Sequence, residues 1–311
     1  MATNLPEVTD SQAREYLSET RARIDQALDQ YLRKADSRPA VIHEAMRYSV
    51  LAGGKRIRPL LALSAAQACG GDVGPILRHV CALELIHTYS LVHDDLPALD
   101  NDELRRGRPT SHVVFGEAVA ILTGDALLTE AFVWLSMPVA GGDNQRQMEA
   151  IQLVARSIDS TGMIGGQVAD LEAERLLLTE QSHAVLMETL EFIHQNKTGR
   201  LLTASVMLGG LLANANQAQL GLLKDYGEAV GLAFQIVDDL LDIEESAATL
   251  GKTAGKDLTQ GKLTFPALVG AEGARDRLHS LVDRALRSAD MIGGPVNYLG
   301  AIARYICERR H

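Results

Sequence analysis

Apolar residues recur along this chain at helical spacing, with no sustained every-other-residue alternation of the kind that marks a half-buried strand. The pattern predicts helices over 10–35, 39–52, 58–70, 74–96, 114–136, 145–160, 162–175, 180–195, 198–213, 216–245, 262–271 and 275–289, with a last one near 295–309. Gly-Gly pairs punctuate it at 53–54, 70–71, 141–142, 165–166, 209–210 and 293–294. Most fit turns or helix ends. The pairs at 165–166 and 209–210 sit inside helical pattern and predict close helix packing. The segment 246–261 (SAATLGKTAGKDLTQG) is polar and glycine-containing, which predicts a mobile loop. No long linker divides the chain. The expectation is therefore a single all-α domain over residues 1–311, with 1–35 the least constrained.

Composition agrees with helices. Apolar residues make up 46% of the 311, aromatics 4%, and there are nine prolines. Such a mixture, rich in Ala and Leu, favours helix over sheet. No apolar run approaches the roughly 18 residues of a membrane span, and the first residues (MATNLPEVTDSQAREY) lack the basic and apolar segments of a signal peptide. Three scattered cysteines, Cys69, Cys81 and Cys307, read as reduced thiols of a cytoplasmic protein. A net charge of −10 weighs against nucleic acid as a partner. A small anionic ligand remains open, because the basic residues cluster: Lys55-Arg56-Ile57-Arg58, Arg105-Arg106-Gly107-Arg108 and Arg309-Arg310.

Two aspartate clusters change the picture. The first reads His93-Asp94-Asp95-Leu96-Pro97-Ala98-Leu99-Asp100, the second Gln235-Ile236-Val237-Asp238-Asp239-Leu240-Leu241-Asp242. Each ends a nearly uncharged helical stretch. Crowded carboxylates on apolar helices repel one another and lose solvation unless a cation lies between them. Hard oxygen ligands with nothing soft nearby point to Mg²⁺, which is typically held by one or two carboxylates and completed by water and substrate phosphates. Asp238 and Asp242 are four apart and share a helix face. Asp94 and Asp100 are six apart, so on an unbroken helix they face different ways. Pro97 resolves this: it disfavours helical geometry at Leu96 and lets the chain bring Asp100 back towards Asp94. Upstream, His87, Ser90, Leu91 and Asp94 share one stripe.

Groups suited to a diphosphate lie beside these acids. Arg105 and Arg106 follow the first cluster and can grip phosphate oxygens bidentately. Gly53-Gly54-Lys55-Arg56-Ile57-Arg58-Pro59 forms another basic corner that opens a helix, whose free N–H groups favour an anion. Lys197, Thr198, Gln235, Lys252 and Lys262 are further candidates. Neither GxxxxGK[ST] nor GxGxxG occurs.

Taken together, GGKRIRPLL (53–61), ELIHTYSLVHDDLPALDNDELRRGRPTSH (84–112), GEAVAILTGDALL (116–128), GMIGGQVADL (162–171), NKTGRLL (196–202), FQIVDDLLD (234–242) and LGKTAGKDLTQGKLTFPAL (250–268) resemble the trans-isoprenyl diphosphate synthases, and most closely the bacterial farnesyl diphosphate synthases. The resemblance covers about residues 40–310. It implies an all-α orthogonal bundle around a deep central cavity, as a homodimer, with the two aspartate motifs facing each other across the mouth. It implies three Mg²⁺ ions binding an allylic diphosphate through Asp94, Asp100 and Asp238, with Asp95, Asp239 and Asp242 supporting. Arg105, Lys197, Gln235 and Lys252 would touch that diphosphate, and Lys55, Arg58, His87 and Arg106 would hold isopentenyl diphosphate. Lys197, Thr198 and Gln235 would also hold the allylic cation. The loop at 246–261 and the C-terminal Arg309 and Arg310 would close the mouth.

Product length turns on the cavity floor. Helix geometry nominates Ser90, the residue most nearly beneath Asp94. The family pattern instead weights Tyr89, with the Pro-Ala insertion in DDLPALD. That combination resembles enzymes stopping at fifteen carbons, with a twenty-carbon, geranylgeranyl product as the alternative. Other readings attach to parts of the chain. Glu84-x-x-His87 and Glu191-x-x-His194 match the Glu-x-x-His of di-iron bundles. Terpene cyclases carry an aspartate-rich motif too, but usually Ser or Thr where this chain has Asp242. Non-catalytic synthase subunits commonly lack one motif, and both are intact here.

Overall fold

In the computed structural model, residues 9–176, 181–250, 263–294 and 297–308 are described. They form α1 (Asp10–Tyr31), α2 (Ala40–Val50), α3 (Ile57–Ala68), α4 (Leu77–Asp94), a two-stranded hairpin of β1 (Leu104–Arg105) and β2 (Arg108–Pro109), α5 (Ser111–Phe115), α6 (Glu117–Ser136), α7 (Asn144–Ile158), α8 (Met163–Leu176) and α9 (His183–Ile193). A π-helical turn (His194–Gly199) runs straight on into α10 (Arg200–Leu212), followed by α11 (Gln217–Leu250), α12 (Phe265–Ile292) and α13 (Leu299–Glu308).

The all-α reading holds, and its helix order follows the predicted one. Helices α3 and α4 are apolar nearly all round, so they sit innermost. Helix α4 packs along α6, α10 lies on α3 and α7, and α11 lies on α10 and α12. One continuous buried core runs from Ile24 in α1 to Ile306 in α13. Each fully buried Leu or Ile in it contributes about 1.5–3 kcal/mol. The predicted close contacts are present: a side chain at Gly209 would strike the Ala62 backbone of α3, and one at Gly166 would strike the backbone of Lys197.

Several expectations are corrected. The stretch 114–136 is two helices, because Gly116 (φ 82°) turns the chain between α5 and α6. Conversely, 262–271 and 275–289 join as α12, bent at Gly270 (φ 77°, ψ 161°). The predicted loop at 246–261 is helical as far as Leu250, so polar composition did not end α11 at 245; residues 251–262 lie outside those described. The hairpin was missed. Its two-residue Arg106-Gly107 turn has positive φ at both positions (53° and 73°), the geometry whose twist matches paired strands. Helix α6 is long and apolar enough to cross a membrane by length and composition, although acidic and hydroxyl residues interrupt its apolar runs. It nevertheless packs against α4, with Leu127, Ala131 and Trp134 buried.

Candidate active site

Helix α4 ends at Asp94 and the chain turns through Pro97. The Asp100 N–H donates to the Asp94 carbonyl at 2.8 Å, so the turn folds back onto the helix end as Pro97 predicted. Burial pushes the Asp94 carboxyl up to about 6; Lys197 opposes the shift, while Asp100 and Asp95 add to it. This is a carboxylate short of positive charge. Asp95 points the other way and is buried. It accepts from Arg105 Nε at 2.7 Å and pairs with the guanidinium at 2.6 Å. Burial raises its pKa and Arg105 pulls it back down.

The π-turn faces this corner. Its Lys197 Nζ donates to Asp170 of α8 at 2.6 Å. Lys197 and Thr198 line the same cavity as Asp94. At its other end, His194 Nε2 lies 3.6 Å from Asp239 of α11. One wide turn therefore lines the cavity that holds Asp94 and contacts α11 at Asp239, and such π-bulges are frequent at functional sites. Glycines let it in: Gly166 admits its backbone from the α8 side, and a Cβ at Gly231 would lie 2.8 Å from Gly199 Cα on the α11 side. On α11, Gln235 Nε2 donates to Asp238 at 3.3 Å, and Asp239 accepts the Phe265 N–H at the start of α12 at 2.9 Å. Asp242 is exposed.

The basic corner is built around Arg56. Its φ of 51° is unusual for a non-glycine residue. Three contacts hold it: Asp25 at 2.7 Å, Glu84 at 2.8 Å and the Val50 carbonyl at 2.8 Å. Burial works against its charge, but Glu84 and Asp25 outweigh burial and raise its pKa. Arg58 and Arg106 lie near this pair. Burial brings Arg58 down to about 10, against the pull of Glu84, with Arg106 lowering it further. The buried Arg58 Nε has no hydrogen-bond partner among the described residues. The Arg106 guanidinium rests on Gly54, where a Cβ would lie 2.6 Å from it. His87 is held well below its usual pKa by burial, then by Arg58, Arg106, Arg105 and Arg56, so it is a neutral group among cations.

Between α4, α8 and the π-turn lies a cavity of about 350 Å³, within the range of small-molecule sites. Arg58, His87, Asp94, Lys197 and Thr198 form its polar end; Leu99, Ile164, Val168 and Leu171 form apolar wall; Tyr89 and Ser90 both line it. Among the described residues no three His, Cys, Asp or Glu side chains form a metal cage by themselves. The carboxylates of Asp94, Asp95 and Asp100 offer hard oxygen donors, the type Mg²⁺ takes. The desolvated Asp94 and the unpartnered Arg58 N–H fit a metal-diphosphate ligand.

Arg58, His87, Tyr89, Ser90, Asp94, Lys197 and Thr198 share one cavity; Arg105 and Arg106 lie on the hairpin, Gln235, Asp238 and Asp242 lie on α11, and Lys55 is exposed. Lys252, Lys262, Arg309 and Arg310 lie outside the described residues. Asp170 and Gln167 were missed by sequence reasoning. The available signal was Gly166: Asp170 follows it by four and so shares the face that meets the π-turn. The two Glu-x-x-His pairs do not converge, since Glu84 is taken by Arg56 and Glu191 faces Arg277 on α12.

The polyprenyl synthetase family model matches residues 39–293. The chain belongs to the polyprenyl synthetase family, a family of prenyltransferases that use metal ions with diphosphate substrates. It is 43% identical over 302 residues to a farnesyl diphosphate synthase of Geobacillus stearothermophilus, covering 94% of this chain and 95% of the relative. It is 46% identical over 261 residues to a chloroplastic geranylgeranyl pyrophosphate synthase of Capsicum annuum, covering 84% of this chain and 69% of that protein. A crystal structure of an FPP/GFPP synthase from Zymomonas mobilis superposes with a TM-score of 0.84 at 36% identity, covering 96% of this chain and all of the other. The all-α isoprenyl synthase fold expected from the motifs is therefore the fold of this polyprenyl synthetase.

Proposed function

We propose that this polyprenyl synthetase condenses isopentenyl diphosphate with dimethylallyl and then geranyl diphosphate and stops at (2E,6E)-farnesyl diphosphate. One observation carries the reading. Asp94 and Lys197 stand at the polar end of a cavity whose other walls are apolar and which Tyr89 bounds, so a charged head and a prenyl tail fit one continuous site.

The residues divide the work. Asp94, Asp100 and Asp238 would hold Mg²⁺ with the allylic diphosphate, and Asp242 would support them. The chemistry Mg²⁺ would supply there is to neutralise the charge on the departing diphosphate. Lys197, Arg105, Gln235 and Lys252 do the same with N–H donors as the allylic C–O bond breaks and its electron pair leaves with oxygen. The Lys197 carbonyl and Thr198 hydroxyl face the allylic cation. Leu99, Ile164, Val168 and Leu171 keep water from quenching it. Lys55, Arg58 and Arg106 bind the isopentenyl diphosphate, and neutral His87 adds a hydrogen bond without further cation repulsion. The isopentenyl double bond attacks the cation, and the released diphosphate accepts the proton that is lost.

A second copy of the chain completes the reading. Helix α6 exposes Ile121, Leu122 and Val133, and α5 exposes Val113 and Val114, an apolar face that a homodimer would cover.

Dimethylallyl and isopentenyl diphosphates, followed by dephosphorylation and chromatography, test the product. A dominant C15 alcohol is expected. A dominant C20 alcohol would establish the second reading, which the 46% identical geranylgeranyl synthase favours. No elongation with Mg²⁺ present would overturn both.

A further inference from the structure

The imidazole of His93 leaves α4 and crosses to α6. Its Nε2 lies 3.0 Å from the Ile121 carbonyl. That contact runs directly over Gly124, three residues along the same face. A Cβ at Gly124 would sit 2.7 Å from His93 Cε1 and closer still to the other edge of the ring. The imidazole thus occupies the place of a missing side chain. On its opposite side it meets Tyr89 edge-on, with ring centroids 5.9 Å apart and planes at 81°. The Tyr89 hydroxyl is buried with no hydrogen-bond partner among the described residues, so packing rather than polar contact places the phenol. His93 and Tyr89 both line the cavity that begins at Asp94.

We propose that Gly124 and His93 together set product length: the bare backbone at Gly124 lets His93 lie back against α6 at the cavity wall, and the docked ring flanks the phenol of Tyr89. His93 is a specificity-determining wall residue, and Gly124 is a positioning residue that acts through it. The inference rests on the prenyltransferase reading above. A side chain at Gly124 turns the imidazole back into the cavity, where it takes about the room of one isoprene unit. Removing the imidazole widens the cavity beside Tyr89.

Three variants of the full chain test this, assayed beside the wild type for product length as well as rate. Gly124→Ala is expected to shift the C15:C10 ratio towards C10 about tenfold, the scale of discrimination that steric fit in an apolar pocket provides. His93→Ala is expected to move product towards C20. Gly124→Ala combined with His93→Ala should follow His93→Ala, because the methyl then has no ring to displace. A merely structural role would lower rate or stability and leave the product ratio unmoved. Unchanged product lengths in His93→Ala and the double variant overturn the inference, including where Gly124→Ala alone fails to fold. A Gly124→Ala product shift that persists without the imidazole overturns it as well. Loss of elongation by the wild type would instead reject the underlying activity.

Discussion

In both aspartate pairs the second member is the more deeply buried: Asp95 is 3% exposed and Asp239 7%, whereas Asp94 and Asp238 are half-buried. Adjacent helix residues point about 100° apart, so a pair at a cleft edge turns one carboxylate outward and one inward. The inward members are answered differently. Asp95 meets the Arg105 guanidinium, delivered by the hairpin. Asp239 meets the Phe265 N–H, delivered by the first turn of α12, with His194 beside it. The brace on the α4 side includes a cation, and that on the α11 side includes a backbone donor. The same dipeptide is thus braced by a side-chain cation on one helix and by a backbone donor on the other.

The largest effects should come from the outward members. Asp94→Ala and Asp238→Ala should each lower kcat/KM on the order of 10³-fold, as for loss of one main electrostatic stabiliser of developing charge. Steady-state kinetics across a Mg²⁺ titration would check this. If either wall tolerated the change, the two-walled site would be wrong.

Next comes the foundation of the α4 wall. Arg56 and Glu84 are a buried pair, and removing Glu84 leaves the buried guanidinium with Asp25 as its one remaining counter-charge among the described residues. Glu84→Ala should destabilise the fold by about 3–5 kcal/mol, read as a lower denaturant midpoint. The exposed pair Lys224–Glu228 on α11 serves as the contrast: Glu228→Ala should cost within about 1 kcal/mol.

The inward members sharpen the comparison. Asp239→Ala should lose about 1–2 kcal/mol, the range of a lost helix cap, and Asp239→Asn should recover most of it because an amide oxygen still accepts the Phe265 N–H. At Asp95 the same rescue should fail, since Arg105 needs a charge and not only an acceptor. Thermal denaturation of the four variants separates the cases. Equal rescue at both positions would erase the distinction between the walls.

Much of this was legible in the chain because helices carry their own period. The stripe His87, Ser90, Leu91 and Asp94 does line the cavity, and Pro97 does turn the chain after α4. What was hidden depends on partners distant in sequence. Nothing near Asp95 or Asp239 in the sequence reveals which carboxylate is braced, since the braces come from the hairpin and from α12. The π-turn leaves almost no periodic signal, because its extra residue matters only where Gly166 and Gly231 let its backbone approach. Arg56 reads as one more basic residue in a cluster until Asp25 and Glu84, from α1 and α4, are placed around it. Local pattern gives faces; it does not say what each face meets.

The smallest expected effect concerns protons on the α4 wall. Asp94 is raised to about 6, first by burial, with Lys197 opposing and Asp100 and Asp95 adding. Its folded-state value lies above the usual carboxylate value, so the folded chain holds this proton more tightly than the unfolded one. That contribution to stability is complete below about pH 4 and is lost as pH rises through about 6. Metal-diphosphate binding needs the ionised form and runs the other way, releasing the proton. The Tm increase given by Mg²⁺ with an unreactive diphosphate analogue should therefore shrink between about pH 7.5 and about pH 5, with affinity falling about tenfold per unit below the Asp94 value. Asp94→Asn should flatten that dependence while Asp239→Asn leaves it intact. A dependence that survives in Asp94→Asn would assign the proton to another group.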